Sequence, residues 1–172
     1  MGQGNVTDQE LADLVEQTAE AASAFIRGDI RRYLTLIRHA DDYTLMAPSG
    51  GEPRRGFDAS DQAVEALAEY FRGGEAELQV FESYTSGDLV VLVAVERQHG
   101  EVGGRPDQDW SLRVTLVFRR EGPGWRLAHR QPRPTGPRDH HGAASVDRQR
   151  LRFGHRGHRM TPHLPSDDEH AV

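Results

Sequence analysis

The stretch Gln108-Asp-Trp-Ser-Leu-Arg-Val-Thr-Leu-Val-Phe-Arg-Arg120, followed by Glu121-Gly-Pro-Gly124 and Trp125-Arg-Leu-Ala-His-Arg-Gln131, decides the fold. Trp110, Leu112, Val114, Leu116 and Phe118 alternate with Ser111, Arg113, Thr115, Val117 and Arg119. A period of two sends successive side chains to opposite faces of a strand, so one face suits a core and the other a mixed surface. The Gly and Pro residues between the two runs fold the chain back, which implies antiparallel neighbours.

Upstream, two more strand-like runs cover about 75–84 and 88–99, split by Ser86-Gly87-Asp88, and residues 100–107 read as a longer hairpin loop. Before them the period changes to that of helices. Thr7-Asp-Gln-Glu10 is a capping box that starts a helix with Leu11, Leu14, Val15, Thr18, Ala22, Phe25 and Ile26 in one stripe, and Gly28 stops it. Asp29 caps a second, short helix carrying Ile30, Tyr33, Leu34 and Ile37. Residues 42–46 read as a short strand, 48–56 as an irregular loop, and a third helix with Val64, Leu67, Ala68 and Phe71 inward ends at Gly73-Gly74. Helices first and an antiparallel sheet after them give an α+β class, with the helices covering one face of the sheet.

Composition removes whole reaction classes. The 172 residues contain no cysteine and no lysine, all 21 basic residues being arginine. Disulfides, thiolate nucleophiles, Schiff-base lysines and P-loop lysines are therefore excluded. No run approaches the roughly 18 apolar residues of a membrane helix, and a soluble, cytoplasmic protein is expected. The composition breaks after residue 130: residues 131–172 hold 7 of the 21 Arg, 6 of the 9 His and 5 of the 9 Pro, without a hydrophobic period. One folded domain over 7–131 is expected, flanked by disordered residues 1–6 and a disordered tail over 132–172. The histidines of that tail, His140-His141, His155, His158 and His163, lack a ligand framework, so no metal or cofactor is expected. The net charge of -6 argues against nucleic acid as the main partner.

The element order, together with Asp41-Asp-Tyr-Thr-Leu-Met-Ala-Pro48, Gly50-Gly51, Gly56-Phe57, Arg113-Val-Thr-Leu-Val-Phe-Arg-Arg120 and Trp125-Arg-Leu-Ala-His-Arg130, resembles the nuclear transport factor 2-like superfamily, in its SnoaL-like and ketosteroid-isomerase-like branch. The resemblance implies a cone-shaped roll of curved antiparallel sheet with a ligand pocket between sheet and helices, and a homodimer. Such folds host isomerases, cyclases, dehydratases and non-catalytic domains. Relatives of this type continue after the last strand with Asp-Pro-Leu-Val. Here the chain reads Arg130-Gln-Pro-Arg-Pro-Thr-Gly-Pro137, which one deleted C in the reading frame would reconcile with that continuation, so the tail reads as a frameshift product. Its prolines should stop the last strand near Gln131.

Strand parity assigns faces. Phe118 opposite Leu127 sets Leu116 opposite His129 and Val114 opposite Gln131, while His99 opposite Gln108 sets Arg97 beside Trp110 and Val95 beside Leu112. The pocket face would then carry Trp110, Leu112, Val114, Arg97, His99, His129 and Gln131 as ligand contacts, the ligand being a small apolar or aromatic molecule. His129 is the candidate general base or acid. His39, Asp41, Asp42 and Tyr43 cluster at a cavity mouth, where Asp42 and Tyr43 are further catalytic candidates. The opposite face, with Glu96, Ser111, Arg113, Thr115, Val117, Arg126 and Arg130, is the expected dimer surface. Two function classes follow: a cofactor-independent acid–base isomerase, cyclase or dehydratase, or a non-catalytic ligand-binding or dimerisation domain.

Overall fold

The structure is a computed structural model that describes residues 5–136. It opens with α1 (Asp8–Ile26) and α2 (Ile30–Leu36), then β1 (His39–Leu45), β2 (Arg54–Arg55) and α3 (Asp61–Tyr70). A meander follows: β3 (Phe71–Ser86), β4 (Leu89–Val102), β5 (Arg105–Asp109), β6 (Leu112–Glu121) and β7 (Gly124–Pro134). The helices start where their caps dictate. Thr7 Oγ1 accepts from Glu10 N while the Glu10 carboxylate accepts from Thr7 N, and at α2 and α3 the Asp29 and Ser60 side chains accept from Arg32 N and Ala63 N. Each cap satisfies an amide that has no partner inside its helix.

All seven strands form one sheet in the order β2-β1-β7-β6-β4-β3, with β5 also pairing β4. The helices pack on it as an α+β arrangement, with α1 against β3 and β4. The sheet is mixed, not purely antiparallel as expected, because β1 runs parallel to β7. The core joins Leu14, Ala21 and Ala24 of α1 and Tyr33 of α2 to Tyr43, Val90, Leu92, Ala94, Val114, Leu116, Phe118 and Leu127 of the sheet. No helix among the described residues is long and apolar enough to cross a membrane.

Several boundaries differ from the sequence reading. The third helix ends at Tyr70, and Gly73 and Gly74 lie inside β3. Gly74 is there for close approach, since a Cβ on it would sit 2.1 Å from His99 O and 2.9 Å from Ile26 Cγ1, whereas Gly73, with nothing within 4 Å, supplies a backbone at φ 58. The hairpin over 100–107 is a two-residue turn, with Gly103 and Gly104 at positive φ and Val102 opposite Arg105. The run expected as one strand from 108 breaks at Trp110-Ser111 into β5 and β6.

These changes reset the register. His99 faces Asp109, and Glu96 faces Leu112, one residue away from the expected pairing. Between β6 and β7, Phe118 does face Leu127, but a bulge then inserts Ala128, so His129 faces Val117 and Arg130 faces Leu116. One extra residue turns every later side chain of β7 to the other face. Glu96 and Arg130 consequently point to the core side, and His129 and Gln131 to the outer side.

The last strand also runs beyond Gln131, to Pro134. Thr135 N donates to Ser111 O, so by alternation the amide positions of 131 and 133 face β6 and those of Pro132 and Pro134 face away. The β1 pairing ends at Arg130, leaving that side an open edge where a missing N–H costs no ladder bond. Pro132 is buried opposite Val114, in an inward position. The tail reading from 137 onward, with its histidines, and the reading of residues 1–4 lie outside the described residues.

Gly28 ends α1 at φ 83, and a Cβ there would lie 2.2 Å from Phe71 O, whereas Gly50, at φ 78, has nothing within 4 Å. Both alanine variants carry the left-handed backbone penalty, and only Gly28→Ala adds a backbone clash. Gly50→Ala should lower stability by about 1 kcal/mol and Gly28→Ala by about 3 kcal/mol or more in urea unfolding. Equal losses would mean that the contact between the end of α1 and the start of β3 carries no packing constraint.

Candidate functional site

The polar groups of the interior converge beneath the helices. Tyr33 comes from the last turn of α2, and the chain returns within six residues to place His39 at the start of β1, where Tyr33 Oη and His39 Nε2 are 2.9 Å apart. The His39 ring lies on Phe57 with centroids 4.1 Å apart and planes 6° from parallel. Tyr43 meets His39 edge-on at 4.6 Å, and Phe25 meets Tyr33 edge-on at 5.0 Å. Tyr33 and Tyr43 are buried, and His39 and Phe57 are half-buried.

Beside this aromatic group, Arg130 and Glu96 form a two-pronged ion pair with both contacts at 2.6 Å. The Glu96 side chain is 2 % exposed and that of Arg130 is 24 % exposed. Burial opposes the charge on Arg130, but the Glu96 carboxylate outweighs it, and the guanidinium pKa is shifted upward. The pair is thus charged on each side and nearly neutral as a unit.

The titrating groups around it are held uncharged. Burial, with the positive charge of Arg130 added, lowers the His39 pKa to about 4, so the imidazole is neutral at physiological pH. Burial raises the Tyr43 pKa to about 12 and, reinforced by Tyr43, raises that of Tyr33 further. A neutral imidazole in contact with one phenol and close to another is a set that can accept and return a proton and hydrogen-bond an oxygen. Among the described residues, no three His, Cys, Asp or Glu side chains come together as a metal site.

The residues singled out in the sequence fall in different places. Tyr43 is in the interior, and Leu112 and Val114 line the core. Asp42 is on the outside, where Arg119 donates to it at 3.1 and 2.8 Å and holds its carboxyl below the usual carboxylate range. Asp41 is exposed. His129 lies on the outer face with its Nδ1 2.8 Å from Thr44 Oγ1, and Gln131 shares that face. Arg97 is exposed; His99 is exposed and bonds Asp107 at 2.9 Å, which raises its pKa. Trp110 donates its indole N–H to Gly100 O at 3.0 Å. The structure therefore does not bring Asp42 or His129 together with Tyr43. Sequence reasoning missed Tyr33, Phe57, Glu96 and Arg130 as site members. The signal for Arg130 was a guanidinium at inward parity once the bulge is counted, and for Glu96 a carboxylate that continues the inward alternation of Val90, Leu92 and Ala94.

Removing one partner of a buried ion pair strands the other charge, whereas replacing both removes the desolvation cost as well. Glu96→Ala should cost about 3–5 kcal/mol in chemical unfolding, and the double variant Glu96→Leu/Arg130→Met should recover most of that loss. A single variant as stable as the parent would show that the pair is solvated in solution.

Comparison with known proteins places this architecture. Residues 15–132 match the SnoaL-like domain family. No curated protein matches the chain. Among solved structures, an NTF2-like protein of unknown function from Pseudomonas putida is 21% identical, with a TM-score of 0.58 over 77% of this chain and 89% of that one. A putative scytalone dehydratase from Novosphingobium aromaticivorans is 16% identical, with a TM-score of 0.60 over 74% and 85%. The CamKII hub homology domain of Chlamydomonas reinhardtii is 15% identical, with a TM-score of 0.57 over 73% and 98%. At these identities the structures establish a shared fold, and with the family match over most of the described residues the chain belongs to the SnoaL-like domain family of the nuclear transport factor 2-like superfamily.

Proposed function

We propose that this protein binds a small, largely apolar or aromatic molecule between the helices and the inner face of the sheet, in the cone-shaped site the family resemblance implies, and moves a proton on it without a cofactor. The observation that carries the reading is the Tyr33–His39 contact at 2.9 Å, inside an aromatic wall and beside a self-compensated ion pair. In an isomerisation, neutral His39 takes a proton from carbon beside a carbonyl, a phenol hydrogen-bonds the oxygen that gains charge, and the imidazolium returns the proton at a second carbon. In a dehydration the returned proton leaves with the hydroxyl as water. An imidazolium whose pKa is about 4 gives its proton back readily, and because the same shift makes neutral His39 a weak base, the abstraction step relies on the phenol's hydrogen bond to the oxygen that gains charge. His39 thereby replaces His129 and Asp42 as the catalytic candidate, with Tyr43 retained. The likeness to a putative dehydratase supports this class of chemistry. The equally good fold match to a hub homology domain supports the alternative, a non-catalytic binding domain.

The outer face supports a second copy of the chain as partner. With Glu96 and Arg130 turned inward, the residues paired across that face are Tyr84 with Val91, Leu89 with Arg119, Val91 with Val117 and Val93 with Thr115. Tyr84 is 61% exposed and Leu89 42%. An apolar sheet face of this kind is buried most simply by an isologous contact. Sedimentation at micromolar concentration should give twice the chain mass, and Val93→Glu should halve it; a parent protein that sediments as a monomer would remove the proposal.

The pH dependence follows from the direction of the His39 shift. The unfolded chain takes up a proton near 6.5 and the folded chain near 4, so the stability linked to His39 is complete above pH 6.5 and declines as the pH falls through that window. Glu10, held near 2 chiefly by its hydrogen bond to Arg120, contributes its own loss only below about 4.5. The His39→Phe variant should therefore lose less stability than the parent between pH 6.5 and 4.5, by about 2 kcal/mol. In a thermal-shift screen of cyclic ketones and phenols, His39→Phe should lose the ligand response that Asp42→Asn and His129→Ala retain. Loss in His129→Ala alone would move the site to the outer face.

A further inference from the structure

The outer face of the sheet sorts by chemistry from strand to strand. Along one line across it, Gln79 of β3 faces Val95 of β4, Val95 faces Arg113 of β6, and Arg113 faces Arg133 of β7. The next line runs Glu82, Val93, Thr115, Gln131, and the one after it Tyr84, Val91, Val117, His129. Glu77 shares the face of Gln79, two residues before it, and stands opposite Arg97. β3 thus presents carboxylates, β4 an apolar centre, and β6 with β7 a pair of guanidiniums.

The charges at the two margins are not matched within the chain. Among the described residues, Glu77, Glu82, Arg113 and Arg133 enter no ion pair. Glu82 accepts from Ser83 N at 2.9 Å, and Arg113 donates to Thr135 O at 3.3 Å. Arg113 and Arg133 are like charges directly opposite each other, an arrangement that costs stability. At the other end of the same two strands the arginines are matched, Arg119 by Asp42 and Glu121 and Arg126 by Glu121. The unmatched end suits a partner that brings carboxylates to the arginines and a guanidinium to the carboxylates.

A second copy of the chain does both in one orientation. Sheets stack face to face either nearly aligned or orthogonal. With a two-fold axis across the strands, β3 lies on the partner's β3 and β7 on its β7, so each charged row meets its own sign. In an orthogonal crossing every strand runs over all four strands of the partner, and the rows cannot match. With the axis along the strands, between β4 and β6, residues keep their height and the strands exchange: β3 lies on the partner's β7, and β4 on its β6. Arg133 then sits over the partner's Gln79, between the partner's Glu77 and the partner's Glu82, while Val91 meets the partner's Val117 and Tyr84 the partner's His129. We propose that the two copies associate about this axis, with the Arg133 guanidinium of each held by the β3 carboxylates of the other. An isologous contact makes each of these pairings twice, around the apolar centre on β4.

This arrangement rests on the dimer proposed above, and its test separates the two. By sedimentation of the full chain, Glu82→Arg and Arg133→Glu should each weaken association at least about tenfold, and the double variant should return to within about threefold of the parent. Arg133→Glu also relieves the repulsion from Arg113, so it should weaken the dimer without lowering the stability of the fold. The chain has no cysteine, so single thiols report on geometry. A short bismaleimide should link Tyr84→Cys to His129→Cys in a mixture of the two proteins and should link neither to itself, because β3 and β7 stand three strand spacings, about 14 Å, apart. Charge reversals that leave association unchanged, a double variant no tighter than either single one, or a Tyr84→Cys protein that links to itself as readily as to His129→Cys would each overturn the arrangement and leave the dimer standing. A parent protein that sediments as a monomer would overturn both.

Discussion

Glu96 and Arg130 reach each other over β6 on the buried side of the sheet, and the arrangement of the three strands depends on that contact. A carboxylate with a side chain 2 % exposed is tolerable only while its partner stays in place. The partner reaches the interior because Ala128 is inserted as a bulge. Without that residue Arg130 would face outward and Glu96 would be an unpaired charge in the core. The bulge and the ion pair therefore presuppose each other, and together they oppose a slip of β7 along β6. A slip would cost several kcal/mol at once instead of a gradual loss of packing.

The same pair sets the electrostatics of the site. Had Arg130 been uncompensated, its field would favour phenolate in Tyr33 and Tyr43 and attract anions. With Glu96 in contact at 2.6 Å, desolvation dominates instead and raises both tyrosines, while on His39 burial and the Arg130 charge act together and lower it. The interior is polar without carrying net charge. That property suits proton transfer on a neutral molecule, because the groups in contact with it change charge only when the reaction requires it.

Most of the fold was legible because local signals agreed with one another: the capping box at Thr7, the cap at Asp29, the stop at Gly28 and the alternation from Leu112 to Phe118 all stand in the structure. The faces were harder to read. Trp125 to Gln131 alternates equally well with or without a bulge, so Ala128 leaves no local mark and only the pairing with β6 reveals it. The two-residue turn at Gly103-Gly104 was masked by the polar residues of β5, which resemble a loop because that strand is exposed throughout. Both errors were of one residue, and each reversed a face. That is why the apolar core was foreseen while the polar members of the site were not. His39 was noticed at the right place, but its partner Tyr33 belongs to a different element, and Phe57 follows a loop whose path sequence does not fix.

The search for a catalytic carboxylate in such a fold meets a physical obstacle here. Thr18 and Glu96 are the buried polar side chains among the described residues, and Thr18 Oγ1 donates to Leu14 O within its own helix. Glu96 has both carboxylate oxygens occupied by Arg130. Asp42 is outside, held by Arg119, which also bonds Glu121. An acid–base group must be within hydrogen-bond reach of the reacting atom and have a lone pair or proton to spare. Of the groups that meet the aromatic interior, the His39 imidazole fits that description, and the phenols beside it supply donors. A carboxylate-dependent mechanism would first have to break the contact that holds the register of β4, β6 and β7. Proton transfer through His39, as proposed, would leave that contact untouched, so that stability and chemistry would draw on different side chains of the same interior.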